Sequence, residues 1–332
     1  MFAVVLVGGF GTRLRPLTND VPKPMLPVVH RPMIVRLAER LAEGGVTDIV
    51  LALGFRPEPF RDAFPDGQVG STGVRVQYAV EPEPLDTAGA IAFAARSVGI
   101  DDTFVVANGD VLTDLSIGWL VAEHRRIGAD ATIHLIPVED PSAFGVVELD
   151  GPIVRRFVEK PSPGETDSVL VNAGTYVFEP TVLDLVEPGR RVSVERSTFP
   201  VLVAEGRLAA AASDDYWIDA GRPETYRLAN IDLLTGRRGP ALDGVADGAS
   251  VDPSAIVETS VVADGSSVGP GASVVRSVVL EGASVGAGVS IVDSIIAGSV
   301  GDAAHLVDCV VGAGHHVEAG SGLVGVRIPD PS

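Results

Sequence analysis

Cysteine is nearly absent from this 332-residue chain. Cys309 is the only one, so no intrachain disulfide can form and no thiolate cluster can hold zinc. Lysine is almost as scarce: of 25 basic residues, Lys23 and Lys160 alone are lysines and the rest are arginine. Basic charge as a whole is short. The 44 Asp and Glu outnumber it to give a net −19, a poor surface for nucleic acid or for an anionic membrane. Long apolar runs are missing too, and none approaches the roughly 20 residues that a membrane-spanning helix requires. No charged leader with a cleavage site precedes the first apolar run, and the expectation is a cytoplasmic protein. A chain so poor in cations must meet anionic ligands through a few placed side chains and through backbone N–H groups.

What is present is apolar and ordered in two styles. The chain is 46% hydrophobic, enough for one large domain and a smaller one. Over the first part, short apolar runs alternate with helical patterns. FAVVLV (2–7), DIVLAL (48–53), VRVQYAV (74–80) and TFVVAN (103–108) read as buried strands, and the segments around 31–43, 88–96 and 116–127 as helices. That alternation predicts an α/β domain with a mixed, mostly parallel sheet covered on both faces. Beyond Asp110, ATIHLIPV (131–138), FGVVELD (144–150) and IVRRFVE (153–159) read as further strands, some paired as a hairpin, and residues 223–235 as a closing helix. The expected boundaries are a first domain over 1–235, a linker over 236–244 and a second domain over 245–332.

The second domain is written differently. It is rich in Gly, Ala, Ser and Val, and aliphatics recur every six residues at Ile256, Val262, Val268, Val274 and Leu280. This spacing resembles the hexapeptide repeat of a left-handed parallel β-helix, with each aliphatic pointing into a triangular prism. Three hexads would make a coil of about 18 residues, and the domain about four or five coils. A disordered tail would not keep such a clock.

Two segments of the first domain carry chemistry. LVGGFGTRLRPLT (6–18) follows the first strand, and its glycines let backbone N–H groups approach phosphate oxygens while Arg13 adds a cation. It has neither the dinucleotide-binding spacing nor the P-loop spacing. VPKPMLPV (21–28) stiffens the backbone around Lys23 with Pro22 and Pro24. A lysine kept in so Arg-rich a chain suggests a site where a compact ammonium is needed and a planar guanidinium would not fit.

Together these segments resemble the signature of the sugar-phosphate nucleotidylyltransferases. The resemblance continues in order through EPEPLDTAGA (81–90), NGDVL (108–112), FGVVE (144–148), FVEKP (157–161), NAGTYVF (172–178) and YWIDAG (216–221). Within that family FVEKP, SVERSTFP (193–200) and WIDAGRPETY are most similar to the mannose-1-phosphate guanylyltransferases. The resemblance implies a Rossmann-like catalytic domain followed by the β-helix. It also implies roles. Leu6, Gly8, Gly9, Gly11, Thr12 and Arg13 would wrap the nucleotide, with Glu81, Asp86, Thr87 and Gly109 facing base and ribose. Lys23 would meet the α-phosphate, and Asp110 and Asp219 would hold Mg²⁺. Glu159 would bind sugar hydroxyls and Lys160 the sugar phosphate, with Gly145, Asn172 and Gly174 completing the sugar pocket. Arg13, Lys23, Asp110 and Asp219 would carry catalysis.

The chemistry agrees with the residue types. A sugar phosphate is already an anionic nucleophile, so its transfer requires positioning and charge neutralisation rather than a general base. The partners expected are GTP and a sugar 1-phosphate, with mannose 1-phosphate favoured, and a homo-oligomer whose contacts involve the β-helix. Guanine is favoured because an ionised Glu81 only accepts hydrogen bonds, which suits the adjacent N1–H and N2–H donors of that base. Other readings stay open: glucose 1-phosphate with dTTP, UTP or ATP, acyl transfer by a histidine of the repeats, or a catalytically silent nucleotide-sugar-binding subunit. The last draws on Asp86, which stands where the family usually has Gly.

Overall fold

The computed structural model describes residues 1–9, 11–54 and 57–331. It divides into two compact units, Met1–Gly9 with Ile34–Trp217, and Phe10–Met33 with Ile218–Ser332.

The first unit is built on nine strands: β1 (Phe2–Leu6), β2 (Asp48–Leu53), β3 (Arg75–Val80), β4 (Phe104–Asn108), β5 (Ala131–Pro137), β6 (Gly145–Asp150), β7 (Ile153–Glu159), β8 (Leu170–Phe178) and β9 (Leu208–Ala212). They lie in the order β3-β2-β1-β4-β8-β5-β9-β7-β6. The run β3-β2-β1-β4 is wholly parallel. Beyond it β8 runs antiparallel to both β4 and β5, and β9 is parallel to β5. The expected hairpin is β6 with β7. Strand β2 is buried along its whole length, as its continuous apolar run requires in a doubly covered sheet.

The helices are α1 (Met33–Glu43), α2 (Glu58–Ala63), α3 (Asp86–Ser97), α4 (Ile117–Ile127), α5 (Phe199–Ala204) and, in the second unit, α6 (Pro223–Leu234). Local chemistry sets their ends. The Ser116 hydroxyl accepts from Trp119 N at 3.3 Å to begin α4, and Gly128, in the left-handed conformation, ends it. Between sheet and helices an aromatic cluster of Phe104, Phe157, Tyr176, Phe178 and Phe199 fills the core, with ring centroids 5.3–6.4 Å apart.

Two strands were not legible as such in the sequence. Strand β8 carries a bulge between Asn172 and Tyr176, where Gly174 takes φ 77°. Strand β9 is Leu-Ala-Ala-Ala-Ala, a composition that favours helix in isolation and becomes a strand only between β5 and β7.

The C-terminal part of the second unit is the expected β-helix, with three parallel sheets of five strands each. Its inward columns are Val251, Val268, Val285, Val300, Val317; Val257, Val274, Ile291, Leu306, Leu323; and Val262, Val279, Ile296, Val311, Ile328. Two expectations change here. Ile256 is 58% exposed, and its neighbour Val257 packs toward the core instead; Val279, rather than Leu280, continues the stack. The coil is also shorter than expected, stepping 17 residues from Val251 to Val268 to Val285 and then 15 to Val300.

The 15-residue step is trimmed further between Ile296 and Val300, and one corner accounts for coils of 17 residues. A residue in the left-handed conformation, Thr259, Arg276, Asp293 or Asp308, reverses the chain there in fewer residues than the other corners use. The residue that follows it points inward and forms a ladder. Ser277 N donates to Ser260 Oγ at 2.9 Å, Ser294 N to Ser277 Oγ at 3.0 Å and Cys309 N to Ser294 Oγ at 3.0 Å. Buried amides at each tight corner are thereby satisfied by the coil below. Helix α6 is tied to this domain through Arg227, which donates to Asp293 Oδ1 at 2.8 Å, while Arg276 forms a paired contact with the same carboxylate.

Candidate active site

In the first unit the nucleotide-side candidates stand at the C-terminal ends of parallel strands, where open α/β sheets bind ligands. Gly8 and Gly9 follow β1 and are exposed, and Gly9 takes φ 140°. Gly109 and Asp110 follow β4. Gly109 N donates to Leu6 O at 2.9 Å, and a Cβ on Gly109 would lie 2.8 Å from Val7 Cγ1. That is the part Leu6 plays: its carbonyl and the absent side chain of Gly109 hold the two strand ends together. Asp110 is half-buried.

Glu81 follows β3 and is buried. Its Oε2 accepts from Leu85 N at 2.8 Å, and its Oε1 lies on the side of Gly8. Burial pushes its carboxyl up, the Leu85 N–H opposes this, and Asp86 adds to it. One oxygen is therefore already engaged, and a bidentate grip on a base would cost that bond. Asp86 has φ 60°, a conformation natural to glycine and tolerated by Asp. Its Oδ1 accepts from Thr87 N at 2.8 Å, and Oδ2 lies 3.9 Å from Arg191 Nε. The departure from the family's glycine is accommodated locally.

The sugar-side candidates gather at the bulge of β8 and the end of β7. Asn172 Oδ1 accepts from Gly174 N at 2.9 Å, and its Nδ2 donates to the buried Tyr176 hydroxyl at 2.9 Å. Gly174 has no room for a side chain, since a Cβ would lie 2.5 Å from Asn108 Nδ2. Gly145 is equally tight, because a Cβ there would lie 2.4 Å from Phe157 Cζ and 3.0 Å from Glu159 Oε2. Trp217 closes one wall, its Nε1 donating to Ala173 O at 2.8 Å and its ring lying edge-on to Phe144. Glu159 is half-buried and Lys160 exposed, the two charges 3.8 Å apart. Burial raises the Glu159 carboxyl most, Glu195 raises it further, and Lys160 and Arg196 oppose.

Sequence reasoning had assigned Glu195 no role. It rides on a π-helical turn, Val194–Thr198, begun by Ser193. Its Oε2 accepts from Ser193 Oγ at 2.7 Å and from Thr87 Oγ1 at 3.0 Å, and Thr87 Oγ1 accepts from Val194 N at 2.8 Å. Ala88 N and Gly89 N both donate to Val192 O, so the start of α3 is strapped to this segment. Glu195 thus links the nucleotide-side Thr87 with the field around Glu159. The signal lay inside SVERSTFP, but a π-turn cannot be read from residue spacing.

The second unit carries the glycine-rich turn. Gly11 has φ 57°, and its carbonyl accepts from Leu14 N and Thr18 Oγ1; Thr12 and Arg13 begin a short helical turn and are exposed. Lys23, held by its flanking prolines in a second such turn, is buried, and its Nζ lies 3.2 Å from Asp219 Oδ1. Gly221 makes the arrangement possible. A Cβ on it would lie 2.7 Å from Asp219 Oδ1, 2.8 Å from Lys23 Nζ and 3.3 Å from Arg13 Nη2. Two cations and a carboxylate therefore converge over one bare backbone position.

With this geometry in view, comparison with known proteins is decisive. Residues 2–236 match the family described as Nucleotidyl transferase. The chain belongs to the nucleotidyl transferase family. It is 42% identical over 265 residues to a mannose-1-phosphate guanylyltransferase of Mycobacterium tuberculosis, covering 77% of this chain and 72% of that one. It is 39% identical over 268 residues to a mannose-1-phosphate guanyltransferase of Schizosaccharomyces pombe, covering 77% and 73%. Among solved structures, HddC from Yersinia pseudotuberculosis superposes with a TM-score of 0.59 at 29% identity, covering 69% of this chain and 97% of that one.

Nucleotidyl transferases of this family generally use a divalent metal. The donors here fit one. Asp110 in the first unit and Asp219 in the second are each a half-buried carboxylate, a hard-oxygen donor, and among the described residues no cluster of three His, Cys, Asp or Glu forms a cage. That suits a cation held by one or two carboxylates and completed by substrate phosphates and water. Among the described residues no helix is long and apolar enough to cross a membrane.

Proposed function

We propose that this nucleotidyl transferase joins GTP and mannose 1-phosphate to form GDP-mannose and pyrophosphate, with Mg²⁺ as the metal, in the cytoplasm. The observation that carries the reading is the convergence of Arg13, Lys23 and Asp219 over Gly221. In this reaction a phosphate oxygen of the sugar phosphate attacks the α-phosphorus, and the bond to the β-phosphate breaks. No proton has to be removed from the nucleophile, and the obstacle is repulsion between anions. Arg13 and the backbone N–H groups around Gly8, Gly9 and Gly11 bind the triphosphate, Thr12 assists them, and Lys23 meets the α-phosphate. Lys160 takes the sugar phosphate, and Glu159 and Asn172 take sugar hydroxyls in a pocket kept open by Gly145 and Gly174. Asp110 and Asp219 would hold the metal, which would supply further neutralisation of phosphate charge.

The two relatives named for GTP and mannose support the substrate choice, and so does Glu81. With Oε2 engaged by Leu85 N–H, Oε1 is the acceptor left for a guanine N–H. An in-register outer row of Val275, Val292, Val307 and Val324, the last 73% exposed, supports a homo-oligomer through the β-helix. Light scattering of Val307→Glu tests that contact, and an unchanged mass would remove it. The functional test is pyrophosphate release with GTP, ATP, UTP and dTTP against a panel of sugar 1-phosphates. GTP with mannose 1-phosphate is expected to give the highest kcat/KM. Equal or better kcat/KM with UTP or dTTP would overturn the guanine assignment.

A further inference from the structure

The fifth coil of the β-helix reaches the glycine-rich turn inside the second unit. Arg327 Nη1 donates to the carbonyl of Arg13 at 3.0 Å and to that of Arg15 at 3.4 Å. Its Nη2 lies 3.8 Å from Glu224 Oε1, at the start of α6. The turn satisfies its other groups locally: Leu14 N donates to Gly11 O at 2.9 Å, Arg15 N to Thr12 O at 3.3 Å and Leu17 N to Leu14 O at 3.0 Å. A three-residue helical turn leaves carbonyls at its end without partners of its own, and one guanidinium nitrogen, Nη1, donates to two of them. The approach is close by design of the coil. Gly312 carries no side chain where a Cβ would lie 2.9 Å from Pro16 Cβ. Farther along the same segment, Asn230 of α6 accepts from Val29 N at 2.8 Å, and the Tyr226 hydroxyl donates to Pro27 O.

We infer that Arg327 is a positioning residue for the nucleotide: by holding the carbonyls of Arg13 and Arg15 it fixes the direction in which the Arg13 guanidinium is presented, making the fifth coil part of the machinery that binds the triphosphate. This rests on the reading of Arg13 as a ligand of the nucleotide phosphates. Arg327 touches no substrate itself. Its influence falls on one substrate, because the turn it holds serves the nucleotide and not the sugar. A lysine at 327 is shorter and lacks the second nitrogen that faces Glu224, so it restores only part of the restraint.

The test is steady-state kinetics of full-length Arg327→Ala, Arg327→Lys and Arg13→Ala, with thermal melting of each. Arg327→Ala is expected to raise KM for GTP about tenfold and leave KM for mannose 1-phosphate within about twofold, with Arg327→Lys between it and the parent. A merely structural anchor would lower the melting temperature or the active fraction and leave both KM values alone. That result, or an equal rise in both KM values, overturns the inference. Should Arg327→Ala fail to fold, Gly312→Ala presses on Pro16 from the corner that leads into the fifth coil and must show the same split; its absence overturns the inference equally. Arg13→Ala separates the two levels. If it keeps parental KM and kcat for GTP, the functional reading of the turn has failed. If it is impaired while Arg327→Ala is not, only the inference about Arg327 has failed.

Discussion

Gly221→Ala adds a single methyl group and replaces no charged residue, yet it strikes the centre of the proposed site. The new carbon would stand 2.7 Å from Asp219 Oδ1 and 2.8 Å from Lys23 Nζ, well inside contact distance. Those atoms are the far ends of side chains, so they move aside rather than unfold the chain. The backbone at 221 does not need a left-handed conformation, so alanine adds no strain there. The stability cost should sit near the low end of overpacking, about 1 kcal/mol. The kinetic cost is larger. A hydrogen bond between charged groups contributes about 1.5–3 kcal/mol. Solvent screening is limited here, because the Lys23 and Asp219 side chains are only 9% and 29% exposed. At about 1.4 kcal/mol per tenfold, losing that geometry in the transition state lowers kcat/KM roughly 10- to 100-fold. Pyrophosphate release measures the rate and a thermal melt measures the fold. A variant that melts like the parent and keeps kcat/KM within twofold would refute the argument that these three groups work as one arrangement.

Lys23→Arg keeps the charge and changes its shape, and kcat/KM should fall at least about tenfold, some 1.4 kcal/mol; a fully active variant would make the scarcity of lysine a coincidence. Glu195→Gln keeps an oxygen for Thr87 and Ser193 but removes the charge that helps raise Glu159. The Glu159 carboxyl then ionises at lower pH, and the acid limb of kcat/KM for the sugar phosphate should move to lower pH; an unmoved limb would disconnect the two carboxylates. His134 is buried with Nδ1 unpartnered, and burial lowers its pKa from 6.5 to about 4. The unfolded chain takes the proton first, so stability is full above pH 6.5 and is lost as pH falls toward 4. The loss is about 1.4 kcal/mol per pH unit over that window. Urea midpoints at pH 7 and pH 5 should converge in His134→Leu, and an unchanged difference would assign the pH dependence to other groups.

The strands that were legible in the sequence are those whose burial is written in unbroken apolar runs, such as residues 49–53 and 104–107. Strand β8 was hidden because Asn172 and Gly174 interrupt its apolar run where the bulge lies. The repeat domain was legible as a fold but not in register. A six-residue clock placed Ile256 and Leu280 inside, whereas the left-handed corner residue shifts one side of each coil to five. At the candidate site, Gly8, Lys23, Asp110 and Asp219 were proposed from the motifs that concentrate them. Glu195 depends on a π-turn and Arg327 on contact with residues more than 300 positions away, and neither is encoded in local spacing.

The coil length of the β-helix also governs which changes in gene length the domain can absorb. Each inward valine or leucine stacks on the equivalent residue one coil away, and strand side chains alternate between the two faces. Losing a single codon within a strand would therefore turn the remainder of that rung inside out, and the ladder from Ser260 to Cys309 would lose a step. Deletions survive where the chain turns outside the stack. The coil from Val285 to Val300 shows that a shorter coil fits: it has two residues fewer than its neighbours, yet the columns on either side of it stay aligned. Drift in this domain is thus quantised, by whole coils or by trimmed corners, while the identity of exposed residues between those marks is free to vary.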